Sequence, residues 1–151
     1  MICQLCVNLY QRNKEVTTMK NLDQSKHSIE KIFEKQMASP SVRNLLLTLH
    51  EDLARELNRK NLNWIARTHC IGITYLCNDQ KAFMFVNVRK QFISIYFFTG
   101  NSSINGLKKN NWINRGDNKG SETYRIFDKP SLERAVLFAM KAYEIALNWS
   151  I

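Results

Sequence analysis

The stretch HCIGITYLCNDQKAFMFVNVRKQFISIYFFTG, residues 69–100, decides the fold. It is rich in Ile, Val, Phe, Tyr and Thr, which favour strands, and it is interrupted at CNDQK and VRK, which suit turns. The pattern predicts strands near residues 70–77, 81–88 and 91–98. Because the connections are short, neighbouring strands must run antiparallel. The runs FMFV and IYFF are apolar at every position, which predicts either that part of the sheet is covered on both faces or that the strand boundaries differ from those given.

Helical patterns lie on either side of this stretch. Ser39 and Pro40 are a typical helix start, and the leucines that follow them recur at helical spacing. A shorter amphipathic pattern follows Ser28, and a long one follows Pro130. The stretch SETYRIF, residues 121–127, predicts one more strand.

These elements predict an α+β fold, with an antiparallel sheet of about four strands and helices packed on one face. The expected order is α-α-β-β-β-β-α. With 151 residues the chain is expected to form a single α+β domain, residues 25–151, after a peripheral N-terminal segment, residues 1–24. No run approaches the roughly 18 uninterrupted apolar residues that span a bilayer, and no signal-peptide pattern is seen. A cytoplasmic protein without a membrane partner is therefore expected.

Positive charge is concentrated in one part of the chain. The net charge is +9, and between residues 88 and 120 there are six basic residues and one acidic residue. More than half of the excess charge therefore lies in this part. Such an uneven distribution favours an anionic partner, of which nucleic acid is the main example.

The segment GLKKNNWINRGDNKG, Gly106 to Gly120, has no helical or strand period and predicts a mobile basic loop. In the functional interpretation its basic side chains contact phosphates, while Trp112 stacks on an exposed base or sugar. In the structural interpretation its glycines and asparagines only permit turns, and Trp112 fills the end of the sheet. The sequence leaves both interpretations open.

A basic pair, Arg89 and Lys90, lies in the hairpin turn expected near residue 90. If this turn lies near the segment Gly106–Gly120, six basic side chains share one surface. The predicted phosphate contacts are Arg89, Lys90, Lys108, Lys109, Arg115 and Lys119, with Trp112 as the stacking residue.

A series of motifs extends from Pro40 to Leu147: FVNV followed by Arg89-Lys90, then IYFF, then Trp112 with RGDNKG, and finally Ala142-Tyr143-Glu144. In these motifs the chain resembles a small bacterial domain of unknown function. That domain occurs alone or at the carboxyl end of proteins labelled "predicted transport protein". The resemblance implies the same α+β fold. It implies no catalytic residues, because the role of that family is not established.

The four cysteines do not form an established metal motif. Cys3 and Cys6 have C-x-x-C spacing, as in many zinc sites and redox centres. Cys70 and Cys77 are separated by six residues, which is not a usual spacing in a zinc knuckle. Reduced thiols without a metal are therefore expected.

The histidines and acidic residues do not form an established catalytic motif either. His27, His50 and His69 are scattered and are expected at the surface or at element boundaries. Asp79 and Lys81 have the D-x-K spacing of metal-dependent nucleases, but Asp79 falls in a predicted turn and no acidic partner is placed to face it. No catalytic residue, metal or cofactor is predicted.

The favoured hypothesis is a non-enzymatic binding module for an anionic ligand, with nucleic acid as the expected partner. One alternative is a protein-interaction module that binds a protein partner or forms a homodimer. A second alternative is a metal-dependent nuclease-like enzyme.

Overall fold

The computed structural model describes residues 19–78, 81–115 and 118–148, and within these it describes only the backbone of residues 110–115 and 118–120. The strands are β1 (Leu22–Asp23), β2 (Trp64–His69), β3 (Gly72–Cys77), β4 (Lys81–Val88), β5 (Ile93–Phe98), β6 (Lys109–Arg115) and β7 (Asn118–Ile126). The helices are α1 (Ile29–Lys35), α2 (Pro40–Arg59) and α3 (Lys129–Leu147).

The strands of the described residues form a seven-stranded sheet in the order β1-β2-β3-β4-β5-β7-β6. β1 pairs parallel to β2, and the other neighbouring strands pair antiparallel. The expected α+β fold with a mainly antiparallel sheet is therefore confirmed. The expected number of about four strands is too low, because β1, β2 and β6 were not predicted.

Each helix begins at a side chain that accepts a hydrogen bond from the first turn. Ser28 Oγ accepts from the Lys31 amide, and Ser39 Oγ accepts from the Val42 amide. At the start of α3 the Asp128 carboxylate accepts from the Ser131 amide, and Ser131 Oγ accepts from the Asp128 amide in return. These bonds satisfy amides that have no partner within the helix, and so the local sequence sets where each helix begins.

The helices α2 and α3 pack on one face of the sheet. Phe83 of β4 meets Tyr143 of α3 edge to face, with ring centroids 5.2 Å apart. Phe97 of β5 lies 6.1 Å from Phe138 of the same helix. From α2, the buried His50 ring is joined by a 2.8 Å hydrogen bond to the hydroxyl of Tyr75 on β3, which neighbours Phe83. Buried residues of α1 join the same core: Ile29, Ile32 and Phe33.

The side chains that alternate with these core residues point away from the helices, and we call this side the outer face. One row of the outer face crosses five strands, because successive pairs of residues are aligned in the sheet. The members of this row are Arg67, Thr74, Phe85, Tyr96 and Thr123. The next row contains His69, Gly72, Asn87, Ser94 and Arg125.

The uninterrupted apolar run FMFV has a local cause. The register between β3 and β4 shifts, so that Leu76 faces Ala82 while Tyr75 faces Met84. This bulge inserts Phe83 as an extra residue, and both Phe83 and Met84 are fully buried. The apolar run therefore does not require a sheet covered on both faces, because the bulge buries both Phe83 and Met84.

The prediction that the segment Gly106–Gly120 forms a loop is wrong for most of its length. Most of it forms the antiparallel hairpin of β6 and β7, in which Lys109 faces Glu122 and Arg115 faces Asn118. The sequence KNNWINR of β6 contains three asparagines, which are unfavourable in strands. Here the strand forms at the edge of the sheet, where pairing with β7 outweighs the local preference.

The N-terminal region also contributes to the sheet. Leu22 and Asp23, which fall within the segment predicted to be peripheral, align with Ala66 and Arg67 of β2. Residues 1–18 of that segment lie outside the described residues. No helix of the described part of the chain is both long enough and apolar enough to cross a membrane.

A side chain at Gly72 would collide with the backbone of the neighbouring strand β4. A Cβ atom at this residue would lie 1.8 Å from the carbonyl oxygen of Val86. We expect Gly72→Ala to lower the free energy of unfolding by about 3 kcal/mol or more, because a backbone atom must move. Denaturant unfolding measures this change.

Gly106→Ala is the matched control. Gly106 has a φ of +96°, but the nearest atom to an added Cβ lies 3.9 Å away, on Phe138. Only backbone strain of about 1–2 kcal/mol is then expected. Equal losses of stability in the two variants would contradict the close approach of β3 and β4 at Gly72.

Candidate nucleic-acid interface

Two aromatic side chains lie at the centre of the outer face. Phe85 of β4 and Tyr96 of β5 are direct cross-strand neighbours, with ring centroids 6.3 Å apart and ring planes inclined by 60°. Both residues keep part of their surface accessible to solvent. An aromatic pair of this kind, partly accessible on the face opposite α2 and α3, offers ring surfaces on which a flat ligand can stack.

The ring of His69 supports Phe85 from the side. The two rings stack with centroids 4.1 Å apart and planes inclined by only 5°. His69 lies on β2 and Phe85 on β4, so the imidazole must extend over β3. Gly72 faces His69 on β3 and carries no side chain. This packing restricts the rotation of the Phe85 ring.

The imidazole of His69 is neutral near pH 7. Burial lowers its pKa to about 4, although hydrogen bonding to backbone groups acts in the opposite direction. Its Nδ1 atom accepts a hydrogen bond of 3.3 Å from the Ile71 amide, so the ring proton of the neutral form lies on Nε2. His69 therefore contributes a ring surface to the outer face rather than a positive charge.

Arginine side chains lie on two sides of the aromatic pair, one further along the strands and one across them on β2. At the end formed by the β4–β5 turn, the guanidinium of Arg125 lies 4.7 Å from the ring centroid of Phe92. The turn is closed by a hydrogen bond of 3.0 Å from the Arg89 amide to the Phe92 carbonyl, and both Arg89 and Lys90 are exposed. Arg89 directly follows β4, at the same end of the sheet as Arg125.

At the β2 end of the row that contains Phe85 and Tyr96, Arg67 is exposed and faces Asp23 of β1. Hydrogen bonds from Ser25 hold the pKa of Asp23 below its usual value, and the charge of Arg67 adds to this effect. Asp23 therefore neutralises part of the field of Arg67. The Arg89–Arg125 end of the outer face is the more strongly positive one.

A shallow depression lies between β5 and β7 on this face. Its volume is about 520 Å³. Four of its lining residues belong to the outer face: Ser94, Tyr96, Thr123 and Arg125. The depression thus combines an aromatic ring, a guanidinium group and two hydroxyl groups.

The predicted phosphate contacts do not all share one surface. Ile93, next to the Arg89–Lys90 turn, pairs with Ile126, whereas Lys119 lies seven residues away along β7. At 3.3 Å per residue this places the backbone of Lys119 about 23 Å from that end of the sheet. The turn and the tip of the β6–β7 hairpin therefore lie at opposite ends of the sheet, and the six basic residues form two separate regions.

Lys109 is engaged within the fold. Its ammonium group donates to Thr99 Oγ1 at 2.7 Å and to the Ser102 carbonyl, and it lies 4.0 Å from the Glu122 carboxylate. Burial lowers the pKa of Lys109, and the charge of Glu122 opposes this shift. The fully buried Glu122 in turn accepts hydrogen bonds from Thr99 Oγ1 and the Ile104 amide. This cluster holds the connection between β5 and β6.

The structure describes the side chain of Lys108 but only the backbone of Trp112, Arg115 and Lys119. Lys108 is exposed immediately before β6. The backbones of Trp112 and Arg115 belong to β6 and that of Lys119 to β7, but their side chains lie outside the described part. Their contacts with a ligand therefore stay a prediction.

The structure describes only part of the alternative metal and catalytic sites. Cys70 is an exposed free thiol and Cys77 a buried one, while Cys3, Cys6 and Asp79 lie outside the described residues. Within the described ranges, no group of three or more His, Cys, Asp or Glu residues is arranged to hold a metal ion.

His50 and Tyr75 have a structural role in the described fold. The second ring nitrogen of His50 bonds to the Lys20 carbonyl at 2.7 Å, so His50 links the segment before β1 to the core. Burial raises the pKa of Tyr75 well above its usual value, which keeps its hydroxyl protonated as the partner of His50.

Reasoning from the sequence missed Arg125, Phe85 and Tyr96 as parts of a surface. The signal was present in the alternation of ISIY and TYRI, where Tyr96 and Arg125 are out of phase with the buried isoleucines. No family model, curated protein or solved structure matches this chain. The resemblance to the bacterial domain therefore carries no further argument.

The lowered pKa of His69 predicts how stability depends on pH. The unfolded chain binds a proton near pH 6.5 and the folded protein only near pH 4, so the contribution of neutral His69 is complete above pH 6.5 and is lost as the pH falls towards 4. The slope from this one group is at most about 1.4 kcal/mol per pH unit. His50, whose pKa is also lowered by burial, acts in the same direction.

The measurement is the free energy of unfolding between pH 7 and pH 5 for the wild type and for His69→Gln. We expect the wild type to lose more stability than the variant over this interval, since the variant lacks the contribution of His69 and keeps that of His50. Parallel curves for the two proteins would show that His69 binds protons equally in the folded and unfolded states, which contradicts a lowered pKa.

Proposed function

We propose that this protein is a non-enzymatic module that binds nucleic acid. The observation that carries the proposal is the combination of exposed arginines and partly exposed aromatic rings on one face of the sheet, the face opposite α2 and α3. Phosphate groups bind guanidinium groups through paired hydrogen bonds, and bases stack on aromatic rings. The net charge of +9 adds a general attraction for a polyanion.

The strongest part of this surface is the end formed by the β4–β5 turn. Arg89, Lys90 and Arg125 are all exposed there, and none of them has an acidic partner among the ion pairs of the described residues. Their charges are therefore available to a ligand. By contrast, the exposed Arg55 and Arg59 of α2 are paired with acidic residues of the same helix.

The β6–β7 hairpin is a second, separate region of the proposal. Lys108 is exposed at its start, and the sequence places Trp112, Arg115 and Lys119 along it. A single nucleic-acid chain that crosses the sheet from the turn to the hairpin would contact both regions. Reversal of the charge of Lys108 tests the hairpin independently of the outer face.

A protein partner or a second copy of the chain is the second candidate. It is favoured by apolar residues on the solvent side of α3, since Leu137 is 68% exposed and Leu147 is 44% exposed. These residues lie on the helix side of the molecule, so this candidate concerns a different surface. Light scattering of the wild type and of Leu137→Glu distinguishes a homodimer from a monomer.

Charge reversal on the outer face tests the main proposal. We expect the double variant Arg89→Glu/Arg125→Glu to bind a single-stranded oligonucleotide at least about tenfold more weakly than the wild type. The plot of log affinity against log salt should become less steep by about 1.4, since each phosphate contact on a single strand contributes about 0.7. Fluorescence anisotropy at several salt concentrations measures both quantities.

Lys141→Glu is the control for charge alone. Lys141 is exposed on α3, on the helix side, and the substitution changes the charge by the same amount per residue. We expect it to change affinity only through the total charge and to leave the salt dependence nearly unchanged. A loss of affinity per reversed charge in the control as large as that in the double variant would contradict a localised interface.

A further inference from the structure

We infer that the depression between β5 and β7 is a subsite for one nucleotide, and that the outer face therefore binds single-stranded rather than double-stranded nucleic acid. This inference rests on the proposed function, because it specifies the form of the ligand and the side chains that contact it. It concerns Tyr96, Arg125, Ser94 and Thr123, which line the depression together.

The register of β5 and β7 brings these four side chains together. Tyr96 faces Thr123, and Ser94 faces Arg125, so the four residues form two adjacent cross-strand pairs on the same side of the sheet. Diagonal neighbours in such an arrangement have Cα atoms about 7–8 Å apart. The ring of Tyr96 and the long side chain of Arg125 are thus close enough to bind the base and the phosphate of one nucleotide.

Arg125 is held in position before any ligand binds. Its guanidinium group lies over the ring of Phe92 at 4.7 Å, so one of its flat surfaces is occupied by protein while its N–H groups remain at the edge. A guanidinium oriented in this way loses less conformational freedom when it binds a phosphate. The phosphate is therefore expected at the Phe92 side of the depression, and the base at the Tyr96 side.

The aromatic row extends the site beyond one nucleotide. Phe85 lies beside Tyr96 on the next strand, and His69 stacks on Phe85. Burial keeps His69 neutral, so the stacked rings of His69 and Phe85 carry no charge, and the exposed Arg67 lies beside them on β2. A second base can stack here while the backbone of the ligand continues across the strands.

Stacking on these rings requires unpaired bases. In a duplex each base is covered above and below by its neighbours, and its flat surface is not accessible to a side chain. A duplex groove is instead entered by a helix or a two-stranded ribbon, whereas the outer face is a broad surface formed by several strands. The hydroxyl groups of Ser94 and Thr123 both donate and accept hydrogen bonds, so they fit several bases. A single strand with little sequence preference is therefore the expected ligand.

The experiment compares binding of a dye-labelled oligothymidylate of about 12 nucleotides with binding of a duplex of the same length, by fluorescence anisotropy at constant salt. We expect the wild type to bind the single strand more tightly. We expect Tyr96→Ala to weaken this binding by about 5- to 150-fold, the usual effect of removing one stacking ring. The salt dependence of the remaining binding should be unchanged, because no phosphate contact is removed.

Two further variants separate stacking from folding. Tyr96→Phe keeps the ring, and we expect it to bind within about twofold of the wild type. Tyr96→Leu keeps an apolar side chain of similar burial but removes the ring, and we expect it to lose as much affinity as Tyr96→Ala. Leu137→Ala, on the exposed side of α3, is the control for truncation of an apolar side chain elsewhere.

The outcomes separate this inference from the function on which it rests. If charge reversal at Arg89 and Arg125 weakens binding but Tyr96→Leu and Tyr96→Ala bind like the wild type, the nucleotide subsite is overturned and the proposed function stands. Binding of the duplex as tightly as the single strand also overturns the subsite. If the wild type binds neither oligonucleotide at low salt, both the subsite and the proposed function are wrong.

Discussion

One-sided burial of the sheet is the constraint on which the rest of the structure depends. The aromatic side chains Tyr75, Phe83 and Phe97 all pack towards α2 and α3, and they anchor both helices to the same face. Burying large aromatic rings contributes several kcal/mol in total, far more than any single surface contact. Because both long helices are committed to this face, the side chains that alternate with the core residues point to the opposite side. The outer face is thus a direct consequence of where the core lies.

Polar contacts inside the fold then fix the ends of the sheet. His50 joins the segment before β1 to the hydroxyl of Tyr75, and the Lys109–Glu122 cluster joins the β5–β6 connection to β7. A carboxylate without solvent exposure is costly unless hydrogen bonds and a cation compensate for the lost hydration. Thr99, the Ile104 amide and the nearby Lys109 supply this compensation at Oε1, whereas the buried Oε2 has no hydrogen-bond partner among the described residues. Lys109 therefore has a structural reason to be basic, distinct from any role in binding a ligand.

The positive charge of the chain is divided by the same architecture. Arg89 and Lys90 are close in sequence to the strands that carry Phe85 and Tyr96, and the turn brings them to the end where Arg125 lies over Phe92. The pairing of β5 with β7 places the basic residues of the β6–β7 hairpin far along the sheet from the β4–β5 turn. A ligand that contacts only one region experiences a moderate charge, whereas a polymer long enough to reach both experiences most of the excess. This difference favours a polymeric anion over a small one.

The sequence by itself determined the fold class, the positions of the long helices and the strands β3, β4, β5 and β7. Local rules act there: serine and proline mark the starts of the helices, and β-branched and aromatic residues alternate within strands. The sequence did not predict β6 because asparagine is unfavourable in strands. Pairing with β7 at the edge of the sheet makes this segment a strand. The basic residues of the candidate site were visible in the sequence. Only the tertiary structure decided which of them meet, because the register of distant strands aligns Tyr96 with Thr123 and Ser94 with Arg125, and no local pattern encodes that alignment.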